Sequence, residues 1–310
     1  MLTSASRPAY LRGASYVLGE RERGYADIPD LPRLAASFGL VQDPGLWGWG
    51  TIRVTDRDLA DLAADAGRRT LQAAEVDPPA VDALVLCSTR VPGPAEGHGD
   101  FLARVLTGIG LGDLPFYGQN LNRCVNLLAG LDVARAFVLA GRYSHVLVIT
   151  VDAVAESAAP MSQFALFSDA AAGCLISTDP GRAEGYEILG CAAAQEIATL
   201  DATSQISSDL ARQVNQQLLA PAGLKLDDVT ALAHMNLFRP LLVMKERQAG
   251  FREGQLFLDN IPRTGHCFAA DPLINLVDRA ALGHLVKENY AMLAASVPGS
   301  RFGVLLRRVC

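Results

Sequence analysis

The chain has 310 residues, half of them hydrophobic and 19% charged, and a formal net charge of −6. That excludes a disordered chain, which would be polar and charge-rich, and it lacks the basic excess of a nucleic-acid binder. One large domain or two fused halves, each with its own core, fit the length. Apolar runs such as residues 146–151 (VLVITV) fall far short of the ~20 residues of a membrane helix. The opening MLTSASRPAYLRG has no apolar signal-peptide segment. The six cysteines, at positions 87, 124, 174, 191, 267 and 310, form no CxxC cluster. No GxGxxG, Walker A, HExxH or EF-hand pattern occurs. A cytoplasmic protein with no metal, no tightly bound cofactor and no membrane or nucleic-acid partner is expected.

In chain order, residues 61–75 place apolar and small side chains at helical spacing. Residues 82–89 (DALVLCST) form a continuous apolar run of strand length, which suits a strand covered on both faces. His98 falls in a Pro/Gly-rich loop, residues 91–99. Residues 125–140 read as a mostly apolar helix closed by Gly141. Residues 145–151 and 170–177 read as buried strands, and residues 178–185 (TDPGRAEG) as a linker. Residues 224–236 then echo residues 76–88, with residues 80–84 matching 228–232 at a constant offset of 148. This points to an internal duplication of α/β halves, divided as residues 1–178 and 179–310. His284 is placed on a surface helix, and the strand contexts of Cys87, Cys174 and Cys191 read as core.

Three elements carry candidate chemistry. Cys124 precedes a long apolar helix, where the helix dipole and unpaired N–H groups favour a thiolate; the alternative is a packing cysteine. In residues 263–273 (RTGHCFAADPL), Gly265 permits a tight turn and His266 can accept a proton. Asp271, five residues on, can hold the imidazole tautomer in a nucleophile–base–acid arrangement. Asp before Pro is equally a helix N-cap pattern. Cys267 ranks below Cys124, since sequence neighbours often point apart. The third element is His234-Met235-Asn236 at a strand end; His234 is a structural residue or a donor to a thioester carbonyl.

Over nearly its full length the chain resembles the thiolase-fold ketoacyl-carrier-protein synthase III family. The ordered matches are residues 61–89, the Cys124 helix, residues 146–157 (VLVITVDAVAES), residues 166–174 (LFSDAAAGC, similar to FGDGAGA), the HMN segment, and residues 264–273 (TGHCFAADPL, similar to GNTSAASVPL). The resemblance implies an α/β thiolase fold of duplicated αβαβα five-layer architecture, a homodimer, and an acyl thioester on Cys124. Condensing members of the family use Cys, His and Asn. Here His266 stands at the Asn position, and HMN is one residue shorter than the HQAN it resembles. The family's C-terminal glycine-rich loop, which supplies an oxyanion-hole N–H, is reduced to residues 296–300, where Gly299 is the candidate substitute. His234, Asn236 and Gly299 are therefore the candidate oxyanion and substrate-binding residues.

Those departures are similar to a non-condensing branch, the acyltransferases of antibiotic pathways, whose Cys–His–Asp pattern Cys124, His266 and Asp271 match. The resemblance implies transfer of an acyl or aryl group from an acyl carrier protein or coenzyme A thioester to a hydroxyl, amine or second carrier thiol in natural-product biosynthesis. The donor's acyl group would ride on phosphopantetheine. Replacing a carboxamide by imidazole exchanges a fixed dipole for a base, which suits deprotonation of an acceptor. Arg239, Lys245 and Arg247, on a helix after HMN, are the candidate docking cations for an acidic carrier; a solvated helix face is the alternative. The competing functions are a decarboxylative synthase III and a catalytically silent ketosynthase partner subunit, which Cys124 argues against.

Overall fold

The computed structural model describes residues 7–155, 158–182, 184–201 and 205–310. The last two residues of the 146–157 match, and one residue of the expected linker, lie outside the described residues. The chain opens with β1 (Tyr10–Leu18), β2 (Arg21–Gly24), α1 (Leu31–Ser37), α2 (Pro44–Trp47) and β3 (Thr51–Val54). There follow α3 (Leu59–Ala74), β4 (Ala83–Cys87), α4 (His98–Ile109), β5 (Phe116–Gln119), α5 (Asn126–Leu139), β6 (His145–Asp152) and β7 (Ala170–Ser177). The remainder is β8 (Gly185–Gln195), α6 (Ser208–Leu219), β9 (Val229–Ala233), α7 (Arg239–Gln248), α8 (Asn260–Thr264), α9 (Asp271–Ala281), β10 (Tyr290–Val297) and β11 (Ser300–Arg308).

Nine strands form one hydrogen-bonded sheet in the order β5-β4-β6-β7-β1-β8-β11-β10-β9. Two runs within it share one plan. β4 is parallel to β6, β6 antiparallel to β7, and β7 antiparallel to β1. Likewise β9 is parallel to β10, β10 antiparallel to β11, and β11 antiparallel to β8. α5 and α9 hold matching crossover positions, as do α3 and α6. The 148-residue echo thus corresponds to a repeated topology, to which β5 is an addition. β1 joins the two runs through a short pairing with β8 over Tyr10–Arg12.

The strands read as unbroken apolar runs because both faces are covered, and successive residues feed alternate layers. In β4, Leu84 and Leu86 face α3 and α4, in a core shared with Leu62, Leu71, Val105 and Ile109. Ala83, Val85 and Cys87 face the central layer of α5 and α9. The same central core takes Leu293 of β10 and Val304 of β11, while Met292 and Leu305 turn outward to Val214 and Leu218 of α6. The result is helix, sheet, helix, sheet, helix: the expected five layers. A smaller cluster, with Leu31, Trp49 and Ile52, packs the antiparallel β2–β3 pair and α1 against Leu166 and Phe238.

Local rules account for the helix ends. Asp58 caps α3 by accepting from the N–H of Ala60. After α5, Gly141 adopts φ 71. The N–H of Gly141 then donates to Val138 and that of Arg142 to Phe137, both at 3.0 Å, as a left-handed helix stop requires. Two placements differ from expectation. His98 heads α4 instead of lying in a loop, and His284 is exposed in the turn after α9, off the helix.

Candidate active site

The central layer puts the N-terminus of α5 next to the segment that precedes α9. Cys124 lies in a 3₁₀ turn, Arg123–Val125, immediately before α5. Arg123 adopts φ 54, in the left-handed region, and so presents the next residue at a sharp bend. Its guanidinium donates to the carbonyl of Pro298 at 2.6 Å, tying the bend to the β10–β11 hairpin. Asn126, fully buried, fixes the approach from the other side. Its amide donates to the carbonyl of Ser88 at the end of β4, and its Oδ1 accepts the N–H of Asn122, both at 2.9 Å. The sulfur is half-buried and borders a cavity of about 410 Å³. Phe164, Met235, Leu237 and Leu241 give that cavity an apolar wall, and Lys245 stands at its edge.

His266 reaches the same place from the opposite element. Its N–H donates to the carbonyl of Leu166 at 2.7 Å, and its carbonyl accepts the N–H of Ser168 at 3.0 Å. Gly265 makes this approach possible: it adopts φ 62, and a Cβ there would stand 2.6 Å from the Leu166 oxygen. His266 and Asp271 are both 0% exposed. Nδ1–H of His266 donates to Oδ2 of Asp271 at 2.5 Å. The carboxylate also accepts the N–H groups of Asn236 at 2.6 Å and Cys267 at 2.8 Å. Asp271 is the first residue of α9, where the helix dipole favours an anion. The N-cap reading is corrected here: Ala270 holds that position, and the Asp271 side chain caps nothing but points at the imidazole.

Burial alone would lower the affinity of the imidazole for its proton. The Asp271 carboxylate and then the Cys124 thiol outweigh that, and the His266 pKa is pushed up to about 10. Nε2 is buried and lacks a full hydrogen bond among the described residues. The Cys124 thiol is near enough to contribute to that rise, so sulfur and imidazole share one site. Three aromatic rings enclose the imidazole: Phe167 at 5.1 Å, Phe268 at 5.9 Å and Phe164 at 6.5 Å between centroids. Cys267, though adjacent in sequence, is buried with its thiol against the Thr264 carbonyl at 3.7 Å, and burial raises its pKa well above the usual thiol value.

The remaining candidates take other places. Nδ1–H of His234 donates to the Met235 carbonyl at 2.8 Å, and Nε2 accepts the N–H of Phe257 at 3.2 Å. Both ring nitrogens are engaged by backbone, and burial lowers the pKa, so the ring is neutral. Asn236 donates to Asp271 Oδ1 and Thr264 Oγ1, both at 3.3 Å, and accepts from Asn275 at 2.9 Å. Asn236 thus lies against the Asp271 carboxylate, and His234 against the backbone of Met235 and Phe257. Gly299 turns the β10–β11 hairpin with φ 71 and packs on Leu200; it is Ser296, Val297 and Pro298 that line the cavity. Arg239 and Arg247 are exposed on α7, outside the cavity that Lys245 borders. The aromatic enclosure and the bend at Arg123 were missed in the sequence. The FALF run at residues 164–167 was visible, but nothing in it announces contact with a histidine a hundred residues away. Among the described residues no group of three or more His, Cys, Asp or Glu is placed to hold a metal ion.

A sequence model of the 3-oxoacyl-[acyl-carrier-protein] synthase III family matches residues 121–196, which include Cys124. A β-ketoacyl-[acyl-carrier-protein] synthase III of Fusobacterium nucleatum is 29% identical over 138 residues, 44% of this chain; the match spans only 40% of that relative. The crystal structure of 3-oxoacyl-[acyl-carrier-protein] synthase III from Aquifex aeolicus superposes over 96% of this chain and 99% of that one, with a TM-score of 0.78 at 16% identity. The acyltransferase ChlB3 superposes over 97% and 98%, with a TM-score of 0.80 at 15% identity. Those two likenesses establish the fold over nearly the whole length, and the family model places the synthase III pattern around the cysteine. The chain thus has the fold of these two proteins and, over residues 121–196, is similar in sequence to the synthase III family.

Proposed function

We propose that the protein is an acyltransferase that carries its cargo on Cys124 and uses His266, held by Asp271, as proton carrier. The observation that carries this reading is the pairing of His266 Nδ1 with a fully bonded buried carboxylate, while Nε2 is left to the sulfur. With their shared proton on Nε2 of His266, the Cys124 sulfur attacks the carbonyl of a donor thioester and forms the new C–S bond. Amides at the N-terminal turn of α5, which have no intrahelical partner, hold the oxyanion. The departing donor thiolate takes the proton from Nε2. With the sulfur acylated and that proton gone with the donor, the neutral imidazole acts as base. It accepts the proton of an incoming hydroxyl, amine or thiol, whose heteroatom attacks the thioester; the Cys124 sulfur leaves and again shares the proton with Nε2.

The donor is an acyl or aryl thioester of an acyl carrier protein or coenzyme A, and the setting is natural-product biosynthesis in the cytoplasm. The acyl-carrier-protein synthases among its relatives and the half-buried Lys245 at the cavity edge support a carrier donor, with Arg239 and Arg247 on the same helix as further docking cations. A homodimer is part of the reading. β5 is an edge of the nine-stranded sheet, with Phe116 exposed on it and Leu121 90% exposed just beyond. No stabilising role toward an enolate is assigned to His234, since both its nitrogens are engaged; this sets the decarboxylative synthase second. The synthase III names of the relatives favour that second reading.

Intact-mass measurement after incubation with a panel of acyl thioesters is the test. An acyl adduct is expected on the wild type and absent from Cys124→Ala. In His266→Ala, transfer to an acceptor should fall about 10²–10⁴-fold, the usual general-base range. Carbon dioxide release with a β-ketoacyl product from a malonyl thioester would select the synthase. An unacylated wild type across the panel would leave the silent-subunit reading.

A further inference from the structure

Phe268 combines three features that packing alone does not call for. It adopts φ 52, in the left-handed region, where a bulky side chain is an outlier and glycine is the ordinary choice. It is half-buried, while its sequence neighbours from Gly265 to Ala270 are all buried. Its ring lies over His266 at 5.9 Å and 29° between planes, and 4.9 Å from Phe167, itself 5.1 Å from His266. The strained turn Phe268–Ala270 thus spends no ring in the deep core; it lays a half-buried one across the imidazole. Beneath that cover, Nε2 is buried and without a hydrogen bond among the described residues.

We propose that Phe268 is a positioning residue whose ring shuts water away from His266 Nε2, so that the acyl group on Cys124 passes to the acceptor instead of being hydrolysed. This rests on the acyl-enzyme reading above. The reaction it suppresses is defined: a water oxygen attacks the thioester carbonyl, its proton goes to Nε2, the Cys124 sulfur leaves as thiolate, and the acyl group departs as a carboxylic acid. A base built to deprotonate hydroxyls makes no chemical distinction between acceptor and water, so exclusion has to be steric.

The variants are Phe268→Gly, which releases the backbone strain as it removes the ring, Phe268→Leu, which retains bulk, and Phe268→Tyr, which retains the ring. With the wild type first acylated on Cys124, the lifetime of the acyl-enzyme without acceptor is expected to fall about tenfold or more in Phe268→Gly, less in Phe268→Leu and little in Phe268→Tyr. The unfolding temperature of the glycine variant should hold or rise. An unchanged lifetime in folded Phe268→Gly, or in Phe268→Leu if the glycine variant does not fold, overturns the inference. A second readout needs no acyl donor: the rate at which diethylpyrocarbonate modifies His266, followed by peptide mass. With the ring removed, reagent and water reach Nε2, so the rate should rise in the glycine variant and stay low in Phe268→Tyr. If the wild type takes no acyl group, the acyltransferase reading fails, and an unchanged rate of His266 modification would then dispose of the cover as well.

Discussion

His266 and Asp271 share a proton in the candidate site. A histidine pKa raised in the folded state means that folding binds the proton more tightly than the unfolded chain does. The stabilisation is complete below the ordinary value of about 6.5 and is lost as the pH rises through about 10. Asp271→Asn removes the charge that holds the proton. The stability gap between wild type and this variant, read from urea midpoints, should therefore be widest near neutral pH and narrow steadily up to about pH 10; a gap independent of pH would contradict the assignment. The same variant should lose transfer activity beyond its loss of stability, because an amide fixes the wrong tautomer. Of these residues, Cys124, His266 and Asp271 were legible as chemistry-bearing types at telling places. Their convergence was legible only through the family resemblance, since it depends on a glycine letting one loop touch Leu166. His234 shows the converse: a histidine beside the site looks reactive in sequence, and only the N–H of Phe257 reveals that its second nitrogen is occupied.

Among elements, α7 has a decisive mechanical position. It carries Leu241 and Lys245 of the cavity wall, and it is fastened to β11 by a buried ion pair. Arg301 donates to both oxygens of Glu246, at 2.6 and 3.1 Å, and to Ser296 Oγ at 2.9 Å. Cutting one partner strands the other charge in the interior. Glu246→Ala should cost about 3–5 kcal/mol in denaturant unfolding, whereas the double replacement Glu246→Leu with Arg301→Met should recover most of it. The legible elements were those with a strong periodic or continuous apolar pattern: α3, α5, β6 and β7 fall within two residues of expectation. β2 (RERG) and β3 (TIRV) are short and largely polar, so no pattern marks them; they are held by the cluster around Trp49 and Ile52 instead.

At the scale of the molecule, the five layers follow from strands with two covered faces and helices apolar enough to be shared by two sheets. The sheet ends at β5, and the exposed Phe116 and Leu121 there bear on assembly. In sedimentation the protein should run at twice the mass of one chain, and Leu121→Lys should shift it toward the single chain, with folding intact by circular dichroism; a wild type that sediments as one chain would remove the homodimer from the proposal. The repeated strand order was visible only as the echo of residues 76–88 in 224–236, because duplicated halves keep their topology long after their side chains have diverged.

β1 stands fifth of nine strands, and its register partners are Ser177 on one side and Glu187 on the other. Synthesis runs in the opposite sense to this geometry. Tyr10 leaves the ribosome well before either neighbour exists, and at about 5–20 residues per second the wait lasts roughly ten to thirty seconds. The segment that will occupy the middle of the finished sheet is thus a nascent strand with no edge to join, and ribosome-bound chains halted before Ser177 should leave it open to chaperones and proteases.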